Sequence, residues 1–204
     1  MAGEMTLGEL ELLAAVCRQC ALHETRTHPV FAKGNPESKL LICGMVPGPE
    51  EDKVGIPFFG RAGQLLDKIL LATHLTLDNV YITNLVKCWL QPGLNLQPNW
   101  IASCMPYLIA QLSIIQPYVV ITLGLPASTA LLGLPAETRM GFIRGKVYTY
   151  SESIKMEVIP TYHPSYLLRK GGESSDDYPK VLDDFELANY ILKGRGKYGK
   201  YGRI

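Results

Sequence analysis

Four of the five cysteines in this 204-residue chain are spaced as ligands. Cys17 and Cys20 form a tight CxxC, and Cys88 and Cys104 follow in a second segment with fifteen residues between them. Four thiolates from two separated segments suffice for a metal ion or an iron–sulfur cluster. Zinc ribbons bring two tight knuckles, and only the first pair here is tight, so the spacing leaves cluster and zinc open. An odd cysteine count argues against a disulfide framework. Cys43 sits inside the apolar run LLICG and reads as core.

A second set of residues could handle a planar polar ligand. His163 opens HPSYLLR (163–169), Asn84 closes the apolar run NVYITNL (79–85), and Phe58 follows a Gly55 to Pro57 turn. An imidazole donor stabilises developing negative charge, a carboxamide both donates and accepts, and a phenyl ring supplies a stacking wall. In GMVPGPEED (44–52), Gly44, Pro47 and Gly48 let backbone N–H groups approach a ligand, while Glu50, Glu51 and Asp52 offer carboxylates to position water.

These residues need elements to hold them. Helical spacing of Leu10, Leu13, Ala14 and Cys17 predicts a helix over 7–22 that ends near Cys20. Strands are expected at 39–44, 79–85, 118–123 and 156–161, alternating with helices at 63–73, 100–115, 127–132 and 179–192. That alternation implies a parallel sheet covered on both faces, with ligands beyond the carboxyl ends of its strands. Gly44 to Gly60, Asn84 to Cys88 and His163 to Arg169 all follow such ends.

Composition is that of a soluble globular protein, 47% hydrophobic and 19% charged, with a net charge of +1. No apolar run is long enough to span a bilayer, and the acidic, amphipathic start differs from a basic signal peptide, so no membrane role and a cytoplasmic location are expected. Residues 1–192 read as one domain. The tail KGRGKYGKYGRI (193–204) holds five of the 20 Lys and Arg residues and no acid. It is expected to be disordered, to meet phosphates and bases, and to offer a replication or repair partner a surface on an otherwise monomeric protein.

With these pieces together, the chain resembles the family 4 uracil-DNA glycosylases. The resemblance rests on CRQC (17–20), GMVPGPEEDKVGIPFFGRAGQLLD (44–67), ITNLVKC (82–88) with Cys104, ITLG (121–124), IRGKVY (143–148) and TYHPSYLLR (161–169). It implies an α/β fold, a three-layer α/β/α sandwich around a short parallel sheet. It also implies a [4Fe–4S] cluster on Cys17, Cys20, Cys88 and Cys104, which selects iron over zinc. It further implies hydrolysis of the N-glycosidic bond of uracil flipped out of single- or double-stranded DNA. Val46, Phe58, Asn84 and His163 are then expected to bind uracil, His163 and Glu51 to act in catalysis, and Ser165, Leu168 and Arg169 to hold DNA. Leu168 belongs to the Tyr166 to Leu168 stretch that would wedge into the vacated stack.

One position departs from that family. Its first motif usually reads Gly-Glu-x-Pro-Gly, and Met45 stands here where the glutamate belongs. Methionine cannot act as a base, so a non-catalytic DNA-binding module on the same fold is a rival expectation. A redox or electron-transfer protein is a third, and it gives no reason for HPSYLLR or for Asn84 at a strand end.

Overall fold

The computed structural model describes residues 5–150 and 155–195. Four strands form the parallel centre of the sheet: β2 (Leu40–Gly44), β3 (Tyr81–Asn84), β4 (Val119–Leu123) and β6 (Met156–Thr161). Their side chains are mostly apolar on both faces, and β2, β3 and β4 are buried throughout, as strands covered on two sides must be. Two three-residue edges, β1 (Ala32–Gly34) and β5 (Tyr148–Tyr150), run antiparallel and complete the order β1-β3-β2-β4-β6-β5. The sheet is therefore mixed rather than wholly parallel. Edges as short as AKG and YTY carry no apolar run that would announce a strand.

Alternation along the central strands divides the core into two layers. Leu40, Ile42, Ile82, Ile121 and Ile159 face one side, which is covered by α3 (Arg61–Ala72) and α8 (Tyr178–Arg195). In α3, Leu65, Leu66, Ile69 and Leu70 turn inward, whereas Arg61, Gln64, Asp67 and Lys68 stay exposed. Leu41, Cys43, Tyr81, Val120 and Val158 face the other side, against α4 (Pro98–Ile115) and α5 (Leu125–Leu132). Cys43 is thus core, and burial raises its thiol pKa to about 12.

The N-terminal helix α1 (Leu7–Ala15) is shorter than the periodicity suggests. It opens with a capping box between Thr6 and Glu9 and stops at Val16. Arg26 Nη2 takes the carbonyls of Ala15 at 3.2 Å and Cys17 at 2.8 Å, which satisfies C-terminal groups that a longer helix would have bonded internally. Cys17 and Cys20 therefore lie in an irregular segment before the 3-10 turn Ala21–Glu24. At the other end α8 continues through Arg195, past the expected stop at Leu192, and residues 196–204 of the basic tail lie outside the described residues.

β3 and β4 lie on opposite sides of β2, so the chain reverses its winding between β2 and β4. Such a switch point opens a crevice at the carboxyl ends of the strands. Side chains reach it from α2 (Pro49–Val54) after β2, the end of β3, the start of α5 after β4, and α7 (Pro164–Arg169) after β6, among others.

Candidate active site

The crevice is a cavity of about 560 Å³. Met45, Val46, Gly48 and Glu51 line it from the β2 loop and α2, Phe58 from the following turn, and Asn84 from β3. Gly124, Leu125 and Pro126 line it after β4, with Tyr162, His163, Ser165, Tyr166 and Arg169 after β6.

Asn84 is paired with Gly44 across β2 and β3, which fixes its height at the rim of the sheet. It is 2% exposed, and its Oδ1 is buried without a hydrogen-bond partner. A buried acceptor left alone costs about 1–3 kcal/mol, so it calls for a donor delivered by a ligand. Gly44 makes the room: a Cβ there would lie 2.3 Å from Asn84 Oδ1 and 2.7 Å from Phe58 Cζ.

Phe58 is held in a left-handed conformation, φ +52°, which a bulky residue rarely adopts. Three contacts keep it there. Lys33 Nζ donates to the Phe58 carbonyl at 2.9 Å, and Gly63 lets that carbonyl approach so closely that a Cβ would lie 1.8 Å from it. Glu51 Oε1 accepts from the N–H groups of Phe59 at 2.9 Å and Gly60 at 2.8 Å, stapling the turn to α2. The ring, 5% exposed, stacks beside His163 with centroids 5.8 Å apart and planes 29° apart.

His163 caps α7, and its Nδ1 accepts from the Ser165 N–H at 3.0 Å. A ring nitrogen that accepts carries no proton, so in the neutral imidazole the proton sits on Nε2. Burial, helped by the Arg169 cation, lowers the His163 pKa from 6.5 to about 4, so the ring is a neutral donor at physiological pH. Gly124, with φ +88°, passes so near that a Cβ would lie 3.2 Å from His163 Cβ.

A strand-end carboxamide with a vacant acceptor, a phenyl wall and a neutral imidazole donor converge on one cavity. Residues 31–186 match the family described as the uracil DNA glycosylase superfamily. A Thermotoga maritima protein named Type-4 uracil-DNA glycosylase is 38% identical over 88% of this chain and 91% of its own length. A Pyrobaculum aerophilum protein of the same name is 38% identical over 81% of this chain and 86% of its own length. A third, from Saccharolobus solfataricus, is 35% identical over 91% of each. The chain belongs to the uracil DNA glycosylase superfamily.

In this superfamily member, Val46, Glu51, Phe58, Asn84, His163, Ser165 and Arg169 all line the cavity. Arg169 is exposed at its rim. Leu168 is not among the lining residues and packs against the core layer of α3 and α8 instead. Glu51 is divided between two tasks: Oε1 holds the Phe58 turn, and Oε2 lies beside Gly48, where a Cβ would be 2.4 Å away. Asp52 is turned from the cavity, its carboxylate accepting from Thr27 N at 2.9 Å.

Tyr162, Leu125, Pro126 and Met140 line the cavity without having been singled out by residue type. Tyr162 stacks on Tyr166 at 4.9 Å, and the Tyr166 hydroxyl donates to Asp177 at 2.8 Å. Beneath them Asp184, 1% exposed, receives Thr161 Oγ1 at 2.5 Å and an ion pair from Arg144. The Thr161 bond ties α8 to the end of β6, and the Arg144 pair ties α8 to the segment before β5, which accounts for the arginine in IRGKVY.

Cys17, Cys20, Cys88 and Cys104 line a second, small cavity together with His23, Arg26 and Tyr107. Arg26 Nη1 donates to Cys88 Sγ at 3.1 Å, and the Lys87 N–H points at Cys104 Sγ at 3.3 Å. Burial raises the thiol pKa of Cys88, and that of Cys104 to about 11. Buried thiols of this kind ionise when a cationic group binds them. Among the described residues, no three His, Cys, Asp or Glu side chains gather closely enough to hold a single metal ion. Four cysteines around one cavity, with Arg26 and the Lys87 N–H donating to two of the sulfurs, fit a thiolate-held group such as a cluster. Arg26 escaped notice in the sequence because its partner lies 62 residues away.

Proposed function

We propose that this protein is a uracil-DNA glycosylase that hydrolyses the bond between uracil and deoxyribose in single- or double-stranded DNA. The observation that carries the reading is the buried, unpartnered Oδ1 of Asn84 in the cavity that Phe58 and His163 also line.

A base must leave the stack to be reached, and the cavity receives it edge-on. Phe58 stacks on the flipped ring. Asn84 Oδ1 accepts from uracil N3–H and Nδ2 donates to O4, whereas cytosine offers an acceptor and a donor in the reverse order. As the glycosidic bond lengthens, negative charge builds on the base, and His163 Nε2–H donates to O2. The neutral state of His163 matters because the donor is then fixed by the Ser165 contact. Met45 brings no carboxylate to the cavity, and Glu51 Oε2 is the oxygen available there to orient water toward the sugar. Ser165 and Arg169 hold the flanking phosphates.

Cys17, Cys20, Cys88 and Cys104 would hold a [4Fe–4S] cluster. Those residues lie in the segment after α1, the segment after β3 and α4, so a bound cluster would hold these three parts of the chain together. Free thiols in such a site suit the reducing cytoplasm. Among the described residues, no helix is long and apolar enough to cross a membrane.

Steady-state cleavage of a uracil-containing oligonucleotide by the wild type, Asn84→Ala and His163→Ala tests the reading. Release by the wild type and strong loss in both variants are expected; cleavage indifferent to both substitutions would overturn the site assignment.

A further inference from the structure

Lys87 lines the cysteine cavity, but its ammonium makes no hydrogen bond to the cysteine sulfurs and is buried beside the end of β3. Lys87 is 2% exposed, and its Nζ spends all three N–H groups on neutral acceptors: Thr83 Oγ1 at 2.7 Å, the Asn84 carbonyl at 2.6 Å and Gln111 Oε1 at 2.7 Å. Burying a cation against neutral partners is costly, and an apolar side chain of the same length would fill the space without that cost. The network is nevertheless complete. Thr83 Oγ1 passes a hydrogen bond to the Phe31 carbonyl at 2.7 Å, and Gln111 Nε2 donates to Tyr81 Oη at 3.1 Å.

The position of these bonds gives the ammonium its use. β3 ends at Asn84, so the Asn84 carbonyl lies where the strand gives way to the loop carrying Cys88. Lys87 fastens that carbonyl to α4 through Gln111, while its own N–H faces Cys104 Sγ in the same helix. We propose that Lys87 is a positioning residue for base selection, clamping the end of β3 to α4 so that the Asn84 carboxamide stays aimed into the cavity. The proposal rests on the uracil-reading role given to Asn84 above. Without the clamp the Asn84 carbonyl loses its buried donor and the strand end shifts, and a shift of about 1 Å is enough to spoil an aligned site.

The test uses iron-loaded protein and two oligonucleotides, one carrying 2′-fluoro-2′-deoxyuridine and one 2′-fluoro-2′-deoxycytidine, whose glycosidic bonds resist cleavage. Binding preference for the first over the second is measured for wild type, Lys87→Met, Asn84→Ala and the double variant, with thermal melting as the control for folding. Lys87→Gln stands in if Lys87→Met does not fold.

Lys87→Met is expected to lower the preference about tenfold or more, and to add nothing in the Asn84→Ala background, because the two residues act through one carboxamide. An unchanged preference in a folded Lys87 variant, or full additivity with Asn84→Ala, overturns the proposal while leaving the glycosylase reading intact. A wild type that neither prefers uracil nor cleaves an ordinary uracil strand overturns both.

Discussion

The Ser165 N–H donates to His163 Nδ1 at 3.0 Å, and this one contact decides which ring nitrogen can serve the base. With Nδ1 engaged as an acceptor, Nε2 is left as the proton-bearing donor. Replacing His163 with Ala removes a donor aimed at developing charge, an effect of about 10²–10³ in rate. Single-turnover cleavage at saturating enzyme measures it, and the loss is expected in the chemical step rather than in DNA binding.

The same relationship predicts the acid limb of the pH profile. Protonation of Nδ1 would set two donors against each other at Ser165, so activity is expected to hold through neutral pH and to fall with a midpoint near the His163 pKa of about 4. Stability follows the same direction. The native pKa lies below the ordinary 6.5, so the native state binds fewer protons between the two values. The contribution of His163 is complete above pH 6.5 and is lost as pH falls toward 4. Cleavage rates and melting temperatures across that window check both limbs.

Glu51→Gln separates the two oxygens of that side chain. The amide carbonyl still accepts from the Phe59 and Gly60 N–H groups, while the atom beside Gly48 becomes a donor. If that atom orients water, cleavage falls by about 10²–10⁴ with little change in melting temperature. Met45→Glu in the same background returns a carboxylate to the cavity and is expected to recover part of the rate.

Gly63→Ala tests the strained turn. The added methyl would lie 1.8 Å from the Phe58 carbonyl, so the turn must move. Denaturant unfolding should show a loss of about 1–3 kcal/mol, and uracil cleavage should fall as the stacking wall shifts.

Asp184→Ala removes the acceptor of Thr161 and the ion-pair partner of Arg144, which keeps its bond to the Lys180 carbonyl. Breaking a buried pair costs about 3–5 kcal/mol, and the lower end is expected because the Arg144 side chain is 21% exposed. Equilibrium unfolding measures the cost.

The central strands and the chemistry at their ends were legible because they are local. Apolar runs of five or six residues announce buried strands, and Asn84 and His163 stand where those runs stop. What escaped depends on distance in sequence. Arg26 shortens α1 and serves Cys88 across 62 residues, and Lys33 holds the Phe58 carbonyl across 25. Neither residue has a neighbour in sequence that marks it. Tyr162 follows the Thr161 strand end and could have been suspected from that position alone. Leu168, expected to hold DNA, is half-buried in α7 and packs against the core layer of α3 and α8.

The central claim is that the cavity takes uracil from DNA and cuts its glycosidic bond. The most direct measurement is chromatography of the free bases released by iron-loaded protein from single strands that differ only in carrying uracil, cytosine or thymine at one position. The account predicts free uracil in amounts equal to the abasic sites formed, and no cytosine or thymine. Folded, iron-loaded protein that releases no uracil, or releases all three bases alike, would contradict it.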